Sequence, residues 1–133
     1  MSIFRFCKWI LEGKELELTG TGEQARDFTY VDDIARGTIA ALKDVGYEII
    51  NLGGGNNPIS MNTVIMTLEK LIGRKSEIKK LPFPKSDMEA TWADISKASK
   101  ILGWKPEISL DEGLARTVEW AKKNEKLLDV IKT

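Results

Sequence analysis

Apolar residues recur at helical spacing at Ile3, Phe4, Cys7, Ile10 and Leu11, and Gly13 follows where a C-terminal cap belongs, so the pattern predicts a helix opening the chain. No strand precedes that helix, so its face of Ile3, Phe4, Cys7 and Ile10 is expected to lack a neighbour and to favour association. Leu16-Glu17-Leu18-Thr19 alternates apolar with polar and reads as a short, half-buried strand. After the loop Gly20 to Gln24, Phe28, Tyr30 and Val31 read as strand, and Ile34, Thr38, Ala41 and Leu42 mark a face of a second helix. Tyr47 to Leu52 predicts a buried strand ending at Gly53-Gly54-Gly55. Ser60 is an N-cap for a helix whose stripe is Val64, Ile65, Leu68, Leu71 and Ile72, with Gly73 at its end. Glu77 to Leu81 is an edge strand stopped by Pro82 and Pro84. Asp94 caps a short helix holding Ala98, Ile101 and Leu102 and closed by Gly103. The capping-box spacing Ser109 to Glu112 opens a last helix through Leu114, Val118, Trp120 and Ala121, and 124–133 is its continuation or a frayed end.

These elements predict an α/β, α+β-like fold: several helices against a few short strands of mixed pairing, in one domain over 1–133. At 133 residues, folding buries about two-thirds of the unfolded chain's surface, enough for a modest core. Equal numbers of cations and acids argue against broad capture of nucleic acid or an anionic membrane. The basic group Arg74, Lys75, Lys79 and Lys80 therefore reads as a solvated turn. Cys7 is the sole cysteine and fits as buried packing, and with no histidine the chain has neither imidazole catalysis nor a His-ligated zinc. No apolar run has the length of a membrane span, and Lys8 and Glu12 interrupt any signal-peptide core, so the expected location is cytoplasmic.

The densest chemistry lies in Arg26-Asp27-Phe28-Thr29-Tyr30-Val31-Asp32-Asp33, where a cation and three acids share eight residues. A fixed Arg26 at a strand-to-helix passage suits an anion, and equally an ion pair with a nearby acid. Asp27 and Asp33 read as structural caps and turn acceptors. Gly20-x-Gly22-x-x-Ala25 satisfies a relaxed dinucleotide fingerprint, but strand-like residues follow where the fingerprint needs a helix. Gly53-Gly54-Gly55 is a strand-to-helix loop, or alternatively an anion cradle. Phe83, Trp92 and Trp104 read as core or turn packing.

Gly20-x-Gly22-x-Gln24-x-Arg26-Asp27-Phe28-x-Tyr30-Val31-Asp32-Asp33 resembles a motif of the NAD-dependent epimerase/dehydratase family, the extended short-chain dehydrogenase/reductases that include the UDP-sugar 4-epimerases. Asp87-Met88-Glu89-Ala90-Thr91-Trp92-Ala93-Asp94-Ile95-Ser96-Lys97-Ala98, Leu102-Gly103-Trp104-Lys105-Pro106 and Leu110-x-Glu112-Gly113-Leu114 resemble its later motifs, in the family's order. The resemblance implies the small, C-terminal substrate-binding part of such an enzyme, with the Rossmann half missing, and a nucleotide sugar as ligand. It implies that Arg26 grips the diphosphate, that Asp87 accepts ribose hydroxyls, and that Glu17 and Thr19 present backbone to the base. Relatives carry an Arg shortly before the acid; here Lys85 supplies that charge without the planar fork.

The family's chemistry also needs NAD and a Tyr-x-x-x-Lys pair. Tyr30 and Tyr47 are followed four residues on by Ile34 and Asn51, so the chain carries no catalytic residues and binds no cofactor of its own. A truncated reading frame, an excised domain and one piece of a split enzyme all fit that pattern. The alternative of another class is a non-catalytic interaction module that self-associates or pairs with a separate Rossmann half.

Overall fold

A computed structural model describes residues 2–55, 57–128 and 130. In chain order the elements are α1 (Ser2–Glu12), β1 (Leu16–Thr19), β2 (Ala25–Arg26), α2 (Val31–Ala40), β3 (Ile59–Ser60), α3 (Met61–Ile72), β4 (Ile78–Leu81), β5 (Ala90–Thr91), a π-helical turn (Ala98–Leu102), α4 (Leu110–Lys123) and α5 (Glu125–Leu128). Mixed helices with a few short strands match the predicted class. The chain forms two compact units, one of Met1–Gln24, Ser60–Glu89 and Leu114–Thr133, the other of Ala25–Ile59 and Ala90–Gly113.

In the first unit, α1 packs on α3, with Cys7, Ile10, Val64 and Leu68 fully buried. The face of α1 expected to lack a neighbour is therefore covered. Its outer residue Phe4 meets Trp120 edge-on, with centroids 5.5 Å apart, because aromatic edges favour aromatic faces. Lys8 runs its apolar stem along the interior and donates from Nζ to the Leu128 carbonyl at 2.9 Å. Gly13 takes φ 70°, and the Arg74 guanidinium donates to the Leu11 carbonyl at 2.8 Å, so the end of α1 is satisfied by both devices.

Ser60 caps α3 as predicted, accepting from Thr63 N at 3.2 Å, and Gly73 ends it at φ 80°. Buried Glu69 accepts from Lys75 Nζ, Ser76 N and Ser76 Oγ at 2.7–2.9 Å, which pins the turn after α3. β1 and β4 pair in parallel, Leu16 opposite Ile78 and Thr19 opposite Leu81. Leu16 and Leu18 point inward, as the alternation predicts.

The second unit departs further from the pattern. β2 pairs in parallel with β5 for two residues, and its sheet runs β3-β2-β5. Residues 27–30 are not strand, and Val31 already belongs to α2. Tyr30 is the N-cap residue, and Asp32 and Asp33 sit in the first turn, where the helix dipole favours acids. The buried face of α2 is Asp33 and Gly37, not Ile34, Thr38, Ala41 and Leu42. The cause is Trp104: its Nε1 donates to the Asp33 carbonyl at 2.9 Å, and a Cβ on Gly37 would stand 2.7 Å from Leu52 and 2.9 Å from this ring. Only a glycine admits that approach.

The opposite side of α2 and the turn after it are left outside, with Val31 65%, Ile39 68% and Leu42 84% exposed. The expected buried strand Tyr47 to Leu52 is irregular, with Tyr47 and Ile49 exposed. A strand persists only where another pairs with it, and among the described residues none takes this segment as a neighbour. Trp104 is core, as predicted, while Trp92 is exposed. Asp94 accepts from Ser96 N at 2.9 Å and Gly103 closes the helical turn at φ 64°. The end of the chain is a separate short helix, α5, rather than a longer α4, and 131–133 lie outside the described residues.

Candidate functional site

Of the five residues singled out in the sequence, Glu17 and Thr19 lie on β1 and Lys85 and Asp87 on the loop that follows β4. Leu16 N donates to Glu77 O at 2.8 Å and Gly20 N donates to Leu81 O at 2.7 Å, so the even-numbered residues of β1 face β4. Strand alternation then directs the N–H and C=O of Glu17 and Thr19 to the other edge. Among the described residues β4 is the only strand paired with β1, so that edge ends the sheet. Glu17 accepts a long contact from Lys79 at 3.4 Å through its carboxylate, on an exposed surface. Its backbone, not its side chain, is what distinguishes the position.

The loop leaving β4 carries Lys85 and Asp87. Asp87 N donates to Pro84 O at 3.0 Å and Met88 N donates to Asp87 Oδ1 at 2.9 Å, closing an exposed turn. Phe83 anchors the start of this loop on Gly20: at φ 71°, a Cβ there would come within 2.7 Å of the ring. Gly20 thus serves both the turn after β1 and the packing of the next loop. Thr19 ends β1 and the loop carrying Lys85 and Asp87 follows the end of β4, the carboxyl end at which parallel sheets hold ligands.

Arg26 lies in the second unit, on β2, opposite Thr91. It is half-buried, and its Nη1 donates to the Ala25 carbonyl at 2.8 Å. Asp27 accepts from Asn57 N at 3.4 Å, a turn-acceptor role. Asp33 accepts from Glu107 N at 3.1 Å, Ile108 N at 3.0 Å and Arg36 Nη2 at 2.5 Å. Burial alone would raise its carboxyl, but these donors outweigh burial and hold it below the ordinary range. Asp33 ties α2 to the segment after Trp104, the structural role read from the sequence. The spacing could not reveal that its partners lie over seventy residues on.

Neither glycine segment fits a dinucleotide pyrophosphate. At Gly22 the space is taken by the Asn62 side chain, whose Nδ2 donates to the Thr21 carbonyl at 3.2 Å and to Glu23 at 2.7 Å. Asn62 N and Met61 N at the start of α3 donate to the carbonyls of Gly22 and Gln24 at 3.0 and 3.1 Å, so those helix-terminal donors are already used. At Gly54 the near neighbours are the Asp27 carboxylate and the Phe28 carbonyl, acceptors that repel an anion. An open recess of about 290 Å³ beside Gly54 is lined by Asp27, Asn57, Glu107 and Ser109 among others, and its two acids make it unsuited to a diphosphate.

A second recess of about 250 Å³ lies among Gly13, Lys14, Arg74 and Lys75. Those cations are engaged: Lys14 with Glu12 at 2.8 Å, Lys75 with Glu69 at 2.7 Å, and Arg74 with the end of α1. Among the described residues no group of acids and thiols is arranged to hold a metal. Among the described residues no helix is long and apolar enough to cross a membrane.

Sequence reasoning passed over Gln24. Its carboxamide is buried, accepting from Gly22 N at 3.0 Å and donating through Nε2 to the Thr19 carbonyl at 2.5 Å. An amide two residues after the second of the loop glycines Gly20 and Gly22 was the available signal.

Comparison with known proteins gives this geometry a context. Residues 1–117 match the family model of GDP-mannose 4,6 dehydratase. Over 132 residues the chain is 64% identical to UDP-glucuronate 4-epimerase of Thermodesulfobacterium geofontis, a match covering 99% of this chain and 41% of that protein. It superposes with a TM-score of 0.86 and 41% identity on the crystal structure of UDP-glucuronic acid 4-epimerase from Bacillus cereus in complex with UDP-glucuronic acid and NAD, covering 92% of this chain and 40% of that one. The epimerase Mth375 of Methanothermobacter thermautotrophicus gives a TM-score of 0.90 at 29% identity, covering 98% and 40%. The chain thus spans about 40% of the length of these relatives.

Proposed function

The chain belongs to the NAD-dependent epimerase/dehydratase family, and on that premise we propose that it is the nucleotide-sugar-binding part of an epimerase acting on a UDP-sugar, UDP-glucuronate first. The observation that carries this reading is the 64% identity, across almost all of this chain, to a UDP-glucuronate 4-epimerase. In this reading Arg26 neutralises the diphosphate through its forked donors. Asp87 accepts the ribose hydroxyls, a task for an acceptor-only group. Lys85 adds a point charge to the exposed loop. Glu17 and Thr19 offer backbone groups to the base. The chain's contribution to the reaction is binding and orientation, and a cytoplasmic setting is part of the same proposal.

Calorimetry with UDP-glucuronate, UDP-glucose and UDP tests it. We expect weak binding, because this chain preorganises only part of a pocket. Arg26→Ala should remove a charge-assisted contact of about 1.5–3 kcal/mol, roughly a ten- to hundredfold loss of affinity. Arg26→Lys should recover only part of it. A folded Arg26→Ala variant that binds UDP as the parent does would overturn the diphosphate role.

A second reading is favoured by one observation, the exposed apolar residues Val31 and Ile39 on α2 and Leu42 in the turn after it: the chain associates, with itself or with a separate Rossmann half, through that face. Ile39→Glu with Leu42→Lys should then shift sedimentation towards a monomer. A parent that already sediments as a monomer at high micromolar concentration, and forms no complex with a Rossmann half, would exclude it.

A further inference from the structure

The edge of β1 has a definite order of donors and acceptors, and one side chain sets where it ends. Running along that edge are Glu17 N–H, Glu17 C=O, Thr19 N–H and Thr19 C=O. The last is already taken: Gln24 Nε2 donates to it at 2.5 Å, while Gln24 Oε1 is fixed by Gly22 N at 3.0 Å. Because both ends of the carboxamide are bonded, it cannot flip without breaking both contacts. Gln24 is itself buried and its bond to the Thr19 carbonyl is half-buried, which limits the access of other donors to that oxygen.

We infer that Gln24 is a positioning residue that selects the nucleotide base by masking the Thr19 carbonyl, which leaves the β1 edge to read donor, acceptor, donor. This inference rests on the reading of Glu17 and Thr19 as the base-facing backbone. The exposed order complements an imide base, whose edge runs acceptor, donor, acceptor through its two carbonyls and the N–H between them. Guanine presents acceptor, donor, donor. Placed on the masked edge in either direction, its 2-amino group meets a backbone N–H, donor against donor, an unpaired contact that should weaken GDP roughly ten- to hundredfold. With the Thr19 carbonyl free, guanine would gain a seat: O6 on Thr19 N–H, N1–H on Thr19 C=O, and the amino group beyond the end of the edge. Gln24 thus discriminates without touching the base.

The test compares the dissociation constants of UDP and GDP for the parent, Gln24→Glu and Gln24→Met. Gln24→Glu keeps an acceptor for Gly22 N but turns an oxygen towards the Thr19 carbonyl; Gln24→Met fills the space and makes neither bond. We expect the parent to prefer UDP, and both variants to narrow the UDP-to-GDP ratio at least tenfold, chiefly by gaining GDP affinity. A loop-stabilising role alone would weaken both nucleotides together, and an unchanged ratio would overturn the inference while leaving the nucleotide site intact. A parent that binds both nucleotides equally would do the same. A parent that binds neither would overturn the nucleotide-site reading and this inference with it. If the variants fail to fold, amide resonances of the parent decide: UDP must shift Glu17 and Thr19 N–H, and undisturbed amides there would overturn the proposal.

Discussion

Asp33 shows how much one carboxylate can organise. It is 1% exposed, yet ionised, because two backbone N–H groups and the Arg36 guanidinium converge on it. Its carboxyl is held below its ordinary 3.8, so its stabilisation is complete above that value and is lost as pH falls through the lower folded-state value. Acidification below about pH 4 should therefore loosen the second unit before charge repulsion alone would. Asp33→Asn turns an NH₂ towards donors and should cost about 3 kcal/mol. Denaturant melts at pH 7 and pH 3 check both statements: the parent's loss on acidification should shrink in the variant. The Cys7 thiol behaves in the opposite sense, since burial pushes it up to about 11. It should stay unmodified by a thiol reagent at pH 8 in the folded chain and react at once in denaturant; fast labelling without denaturant would contradict the packing.

Among the elements, those whose signals are local were legible in the sequence. Leu16 to Thr19, Ser60 with Gly73, and Asp94 with Gly103 each declare themselves through alternation or a cap within a few residues. What failed was burial decided by distant partners. The pattern of α2 placed its apolar side inward, but Trp104 and Leu52 claim the glycine side instead. Tyr47 to Leu52 has strand composition, and composition does not supply a neighbouring strand. The candidate site divides along the same line. The strand that carries Glu17 and Thr19 was legible as alternation and their proposed role came from the family resemblance, whereas the Gln24 clamp on the Thr19 carbonyl depends on a turn the pattern did not specify. For the legible caps the expected energetics are ordinary: Ser60→Ala should destabilise the chain by about 1 kcal/mol, read as a lower denaturation midpoint with an unchanged slope. No loss would mean that the Thr63 N–H finds water equally well.

At the scale of the whole molecule, the proposed role is binding, and the pair that the family's chemistry needs is not found at the chain's tyrosines. Tyr30 and Tyr47 have Ile34 and Asn51 where the family pair needs lysine, and both glycine segments are occupied by the chain's own polar groups. The relatives that bind UDP-glucuronic acid and NAD do so in a chain of which this one spans 40%. The purified chain should therefore show no conversion of UDP-glucuronate with NAD added. Adding the portion of the Thermodesulfobacterium relative that lies outside the match is the informative step, because 64% identity preserves most of the packing surface. If the two pieces associate, the exposed apolar side of α2 should lose its accessibility, and 4-epimerase activity should rise with the concentration of the added piece. Ile39→Glu with Leu42→Lys should then abolish activity by preventing association, and excess partner should restore it. Arg26→Ala should leave association intact and depress turnover at limiting UDP-glucuronate. Opposite results, with Arg26→Ala blocking assembly and the α2 variant reducing only substrate affinity, would reverse the roles assigned to the two sites. Turnover by the chain alone, in a preparation free of contaminating epimerase, would show that this chain contains reacting groups that its tyrosines and glycine loops do not reveal.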